Sequence, residues 1–277
     1  MKTLKKAAVR LLIGIYAAMF LVVSLMPFYL MLINSVKSTQ DYGRNGFFTI
    51  PEKLLFDNYK KVIRDGFFHY FQNSLVVAAI SLVLLLFVGL CAAYAFSRIR
   101  LKWTKALFML VIACMTISIH VALIPIYLLT RDVGLYDTTA ALVGPYIAFN
   151  LPITIFILTN FMGEIPVELE EAARIDGCGH FRLFSSIIVP LSKAGIVTVA
   201  IYDVISMWNE FSFALVLTQS PDTRTLPLAL WNYKSQYGSN VPMLFAVLFL
   251  SVLPMIAAFA FGQDKLIKGM MAGAVKG

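Results

Sequence analysis

An all-α integral membrane protein with six spans is what this chain predicts, and three observations predict it. Hydrophobic residues make up 60% of its 277 positions, and mean hydropathy is +0.80. Only 14% of residues are charged, against about a quarter in soluble domains. Six apolar runs, each long enough for a bilayer, follow one another, and basic residues collect between alternate runs. The net charge of +8 therefore reads as orientation bias and lipid contact, with no nucleic-acid partner. Cys91, Cys114 and Cys178 are far apart and show no metal or redox spacing.

The spans follow in order. Met1–Arg10 is basic, and Leu11–Ile33 is then apolar for 23 residues, too long for the core of a cleaved signal peptide. Pro27 lies inside this run. Asn34–Tyr70 is mixed and polar, an outer loop with a short amphipathic helix near Phe56–Ile63. Phe71–Phe96 is the second span, opened by Asn73 and Ser74 as capping-type residues. Ser97–Lys105 carries Arg98, Arg100, Lys102 and Lys105 with no acid, which reads as a cytoplasmic loop. Ala106–Leu129 is the third span and Arg131–Asp137 an outer turn. Thr139–Met162 is the fourth, interrupted by Pro145 and Pro152. Ile187–Leu217 would reach about 46 Å as one helix, more than the hydrocarbon core of about 30 Å. The fifth span is therefore placed at Ala194–Leu217. Thr218–Asn240 is an outer loop, Met243–Gly262 the sixth span, and Gln263–Gly277 a tail with Lys265, Lys268 and Lys276.

With both termini cytoplasmic, the inner segments hold 14 Lys and Arg and the outer segments 9, six of them in the long first loop. Long loops weigh little in this rule, so both ends are placed inside. Three parts follow: 1–70 with the N-terminus, first helix and outer loop; 71–262 with five helices; and 263–277 as a cytoplasmic tail.

The strongly polar stretch 164–190 lies between the fourth and fifth spans. Pro166 suits a first helical turn. Glu164, Glu168, Glu170 and Glu171 crowd the positive end of a helix dipole. Gly177 can adopt a left-handed cap, ending that helix near Asp176, and a second short helix runs from His180 toward Pro190. The acids, Arg174, Arg182 and the small Ala172 and Ala173 form a candidate knob for a cytoplasmic partner's groove. A helix lying on the membrane surface is the bland alternative, but such helices favour basic polar faces.

Glu171-Ala172-Ala173, three residues, Gly177, nine residues, then Ile187-x-Val189-Pro190 resembles the EAA loop of ABC-importer permeases, with Val189 where that pattern has Leu. Trp208-Asn209-Glu210-Phe211 resembles a segment of carbohydrate-importer permeases. So do Met26-Pro27 with Asn34-Ser35-Val36-Lys37, and the tail Gly269-x-x-Ala272-Gly273-Ala274-Val275-Lys276-Gly277. The chain is similar from its first span to its last residue to the maltose-type G-subunit family.

That resemblance implies the transmembrane domain of a type I ABC importer in a bacterial inner or plasma membrane. It also implies a homologous permease partner, two copies of a cytoplasmic ATPase, and an extracytoplasmic sugar-binding protein. Glu171, Ala172, Ala173, Arg174, Asp176, Gly177 and Pro190 would then be the ATPase-coupling residues. The chain has no Gly-Lys pair and hence no P-loop, so ATP and magnesium would be bound by the ATPase, and this chain would be a transport subunit with no cofactor of its own.

Asp203 and Glu210 are the acids placed inside a span. Seven residues apart, they would sit about 20° apart on one helix, with Ser206 between them. Charge in lipid is costly, so this face should look into a cavity. Asp203, Ser206, Trp208, Asn209 and Glu210 are expected to line a translocation path, the carboxylates bonding sugar hydroxyls and Trp208 stacking. Pairing of Asp203 or Glu210 with a basic or amide group on a partner helix is the alternative. His120 is expected to bond a neighbouring helix, and Asn150 with Pro152 to mark a kink. Two rival functions remain open: the same machinery carrying glycerol phosphate or another polyol-like solute, and an ion-coupled secondary transporter with Asp203 and Glu210 as a proton relay.

Overall fold

The computed structural model describes residues 2–99, 102–236, 238 and 240–274. Arg100 of the basic loop and Val275, Lys276 and Gly277 of the tail motif lie outside the described residues, as do the side chains of Lys2, Lys5, Lys6, Lys265 and Lys268. Every regular element among the described residues is helical.

The first long helix, α1 (Lys2–Ser35), contains Pro27. Short helices α2 (Thr39–Asn45) and α3 (Asp57–Val62) follow. Gly66, at φ +93°, breaks the chain before α4 (Phe68–Arg98). Next come α5 (Thr104–Cys114), α6 (Ile119–Asp132), α7 (Val143–Gly163), α8 (Val167–Ile175) and α9 (His180–Leu183). A wide turn at Phe184–Ile188 leads to α10 (Val189–Leu191), then α11 (Lys193–Trp208), α12 (Ser212–Leu217), α13 (Leu226–Gln236) and α14 (Val241–Ala274).

Among the described residues three of the six expected spans are single helices long and apolar enough to cross a membrane, two are bent pairs, and the sixth, Val241–Ala257, is a shorter apolar stretch. The third is two helices, α5 and α6, bent by 96°. Ser118 takes an extended conformation there and accepts the His120 N–H at 3.4 Å, starting α6 anew. The fifth is bent by 72° from the preceding His180–Leu191 helix, and it stops at Trp208 instead of running to Leu217. Asn73 and Ser74 do not open the second span, because α4 begins at Phe68. The last span and the described part of the tail form one helix, α14, apolar over Val241–Ala257.

Two compact units result. One comprises the chain through Phe68 with Leu230–Leu253. Leu11 to Met26 of α1 are exposed along its length, as befits a helix facing lipid or a partner chain. At its end Asn34, Ser35 and Lys37 are fully buried, and they hold the following loop. Asn34 Nδ2 donates to Leu30 O and Phe47 O (2.8 and 2.9 Å). Lys37 Nζ donates to Gly46 O (2.8 Å). Burial lowers the Lys37 pKa and Asp41 partly restores it. The Asn34-Ser35-Val36-Lys37 motif is therefore a loop anchor.

The other unit runs from His69 to Ala229 and from Pro254 onward. One apolar cluster joins Val77, Leu85, Tyr146, Met207, Phe213 and Leu217. A second joins Ala93, Leu158, Met162, Ala173, Leu183, Ile188 and Val199. Helix α7 lies at the centre of both. Gly89 lets α4 approach it so closely that a Cβ there would stand 2.8 Å from Thr154 Cγ2, and a Cβ at Gly195 would stand 2.6 Å from the Phe161 ring.

Asp137, at φ +58°, ties the turn after α6 to the segment after α12. Its carboxylate accepts from Gln219 N, Ser220 N and Thr223 Oγ1 (2.7, 2.9 and 2.8 Å) and from the Ser220 hydroxyl. Those donors, the Ser220 hydroxyl foremost, hold its pKa far below the usual carboxylate range. A depressed carboxylate contributes stability that is fully present above about pH 4 and lost as pH falls through its folded pKa. Cleavage of the 218–225 segment by an acid-active protease should therefore stay slow down to pH 4 and rise below it, and Asp137→Ala should make it fast at pH 4 as well.

Gly195→Val should lower the stability of the detergent-solubilised chain by about 1–3 kcal/mol through overpacking, read as a fall in melting temperature. Combining it with Phe161→Ala should recover part of the loss.

Candidate functional site

Helix α8 is built by local sequence. Pro166 stands at its N-cap with φ −56° and ψ 135°, and Glu168 and Glu170 occupy its first turn, where acids favour the helix dipole. Gly177 terminates it at φ +80°. Gly177 N–H donates to Arg174 O (3.0 Å) and Cys178 N–H to Ala173 O (2.9 Å), the paired bonds of a Schellman cap. The expected end near Asp176 is thus reached, and for the expected reason.

The two faces of α8 differ. Glu170 and Ala173 are buried. Glu171, Ala172, Arg174, Asp176 and Gly177 are exposed, and so is Pro190. Ala173 was expected on the outer knob. It instead packs inward in the cluster with Leu183 and Ile188, where a small side chain permits close approach. Sequence reasoning missed the knob's apolar tips: Ile175 is 86% exposed and Phe181 82% exposed. These large apolar side chains stand open on the same segment as the exposed Glu171, Arg174 and Asp176.

Beneath the knob lies a contact sequence reasoning also missed. Arg98, at the end of α4, forms an ion pair with Glu170, and both side chains are less than a tenth exposed. Arg98 Nη2 further donates to Met162 O and Ile165 O (2.6 and 2.8 Å), carbonyls at and just after the end of α7, where the helix leaves C=O groups short of partners. Tyr94 meets Phe184 at a ring distance of 5.1 Å.

A second site lies along α11. A cavity of about 340 Å³ is lined by His120, Tyr146, Asn150, Tyr202, Ser206 and Glu210 together with apolar side chains. Of the expected path residues, Ser206 and Glu210 reach it. The other three do not. Asp203 is fully buried and accepts from Thr154 Oγ1 of α7 at 2.8 Å, a hydroxyl rather than the basic or amide partner of the alternative. Trp208 is buried edge-on against Phe71 at 5.5 Å, so it is not free to stack on a solute. Asn209 Nδ2 turns back to Ile205 O (2.8 Å).

Asp203 and Glu210 do not share a helix face, because α11 ends between them. The Glu210 carboxylate accepts from Phe213 N (2.8 Å) and Ala214 N (3.3 Å), starting α12. His120 does not bury itself against a neighbouring helix. It is exposed on the cavity wall. Asn150 is buried, donates to Tyr146 O at 2.8 Å and lines the cavity too. A carboxylate, an amide, hydroxyls and an imidazole around one space suit a neutral ligand rich in hydroxyl groups. Thr154→Val, which strands the buried Asp203 carboxylate, should cut the yield of folded protein more than Ser206→Ala does, measured by size-exclusion recovery in detergent.

Residues 85–264 match the family model described as "Binding-protein-dependent transport system inner membrane component". The chain is 51% identical over 263 residues to ORF2 of Caldicellulosiruptor sp. (strain Rt8B.4), named as an ABC transporter permease protein, covering 95% of this chain and 96% of that one. It is 32% identical to the melibiose/raffinose/stachyose import permease protein MelC of Bacillus subtilis (strain 168), covering 96% of each. Among solved structures it resembles a chain of a bacterial ABC transporter involved in import of the acidic polysaccharide alginate. There the TM-score is 0.81 at 22% identity, covering 94% of this chain and 97% of that one.

Proposed function

Because the chain belongs to the family of binding-protein-dependent transport system inner membrane components, a family of ABC-importer permease subunits whose ATPase is a separate subunit, we propose that it carries a sugar and couples to that ATPase through α8. The exposed face of the Schellman-capped helix carries this reading. Glu171, Arg174, Asp176, Ile175 and Phe181 project from a backbone fixed by Gly177, Ala173 and Glu170. Such a knob fits a groove in a cytoplasmic ATPase that binds ATP and magnesium. Both termini are cytoplasmic in this reading, supported by the excess of Lys and Arg in the inner segments.

Transport then proceeds by alternating access. A binding protein delivers solute at the outer loops. ATP binding closes the ATPase pair, the α8 knob moves with it, and the helices open outward. Hydrolysis resets them. A second, homologous permease completes the path. The oligosaccharide solutes in the MelC relative's name support a sugar. So does the cavity at Glu210, Tyr146 and Asn150, which holds no Lys or Arg to favour a phosphate-bearing polyol.

The test uses membranes carrying the whole operon. Gly177→Asp places a side chain at φ +80°, costing about 1–2 kcal/mol of backbone strain, and Glu171→Lys inverts a charge on the docking face. Each should abolish ATPase co-purification and uptake while the chain still inserts. Unchanged association together with unchanged uptake would sink the docking reading.

A further inference from the structure

We propose that α4 is the strut carrying movement of the α8 knob to the loop ahead of α13, with Arg98 as positioning residue at one end and Asn73 and Ser74 at the other. The proposal rests on the docking of α8 given above.

At its inner end α4 is fastened to the knob. Arg98 pairs with buried Glu170 of α8 and also holds Met162 O at the end of α7 and Ile165 O in the turn beyond it. One guanidinium thus links three helix ends, and its rigid fork fixes their geometry better than a flexible ammonium would. Ala93 packs in the cluster holding Ala173, and Tyr94 rests on Phe184 beyond α9. Freeing Arg98 from Glu170 would leave a charge buried without its counterion, so the joint resists opening.

At the other end α4 is fastened again. Asn73 Nδ2 donates to Asp222 O and Arg224 O (2.8 and 2.9 Å), and Ser74 Oγ accepts the Leu226 N–H at 2.8 Å. Ser74 is therefore a capping residue, but for α13 rather than for its own helix. From Asn73 to Arg98 the helix spans about 37 Å, the thickness of the bilayer core and more.

Between the two joints α4 is continuous. Of the helices with 21 residues or more among those described, α1, α7 and α14 each contain an internal proline and α4 has none. The covalent route out of the knob is less direct, because it bends by 72° at Ser192 and breaks after Trp208. A continuous helix without proline, pinned at both ends, passes a displacement along its axis, whereas a bent pair can absorb it by flexing.

The experiment follows the outer loop while the ATPase is switched. Asp222→Cys is introduced into a chain whose Cys91, Cys114 and Cys178 are replaced by Ser, within the importer complex purified with its ATPase. Labelling by a membrane-impermeant maleimide is timed with and without Mg-ATP and vanadate. The rate should change by about fivefold or more with nucleotide. Arg98→Gln should remove that dependence while the ATPase still co-purifies, Arg98→Lys should keep most of it, and Asn73→Ala should remove it from the far end. If Arg98→Gln does not accumulate in membranes, Asn73→Ala decides alone. A nucleotide response that survives Arg98→Gln and Asn73→Ala, or is absent from the parent complex, overturns the strut. Gly177→Asp is measured alongside: if it retains both the ATPase and the nucleotide response, the docking reading itself has failed.

Discussion

A backbone group released inside an apolar environment must find its partner within the protein, and this constraint shapes most of the polar chemistry in the chain. Breaks in the spans expose N–H or C=O groups, and at several of them a nearby polar side chain takes them up. Ser118 Oγ accepts the His120 N–H in the first turn of α6. Asn209 covers Ile205 O at the end of α11, and Glu210 receives two N–H groups at the start of α12. Thr218 Oγ1 donates to Ala214 O at 2.6 Å as α12 ends. Thus Trp-Asn-Glu-Phe, read from sequence as a set of solute contacts, is first a stop and a start for helices. Glu210 still reaches the cavity because a carboxylate accepting two backbone bonds keeps lone pairs free for a third partner.

What the sequence made legible was local. The end of α8 follows from one glycine and its spacing from the acids, so it appears where expected, together with the amphipathic helix near Asp57–Val62 and the apolar runs. What stayed hidden depends on shape across elements. An apolar run reads the same whether it is straight or bent by 96°, so the single Ser118 that divides the third span was invisible among apolar neighbours. The heptad argument for Asp203 and Glu210 assumed one uninterrupted helix, and that assumption failed at Trp208. Ala173 was read by size alone. Which side of α8 it faces is set by packing against Leu183 and Ile188, residues about ten or more positions away. Arg98 was weighed only as a loop charge, because its partner Glu170 lies 72 residues further along.

The distribution of buried charge separates the chain's two tasks. Near α8 the acid Glu170 and the base Arg98 are matched and almost dry. Replacing such a pair by apolar groups is often harmless to stability, so its presence argues for geometry, since it fixes how three helix ends meet. Along α11 no Lys or Arg lines the cavity to match Glu210. The carboxylate is held by backbone N–H groups, which orient it without neutralising its charge by a counterion.

Those two arrangements answer different mechanical needs. A joint that transmits movement must be stiff in every direction, and an ion pair reinforced by two carbonyl bonds provides that. A solute path must bind weakly enough to release, and backbone-held carboxylate, amide and hydroxyl groups offer hydrogen bonds that water can replace at small cost. The close glycine contacts of α7 connect the two regions. Gly89 and Gly195 let α4 and α11 press against side chains of the same helix, Thr154 and Phe161, so in the proposed strut a shift of α4 would displace α7. Asp203, bonded to Thr154 of α7, would pass that shift to α11, and with it to the Ser206 wall of the cavity. In that proposal the buried acid that lies off the cavity becomes one of the contacts through which the cavity changes shape.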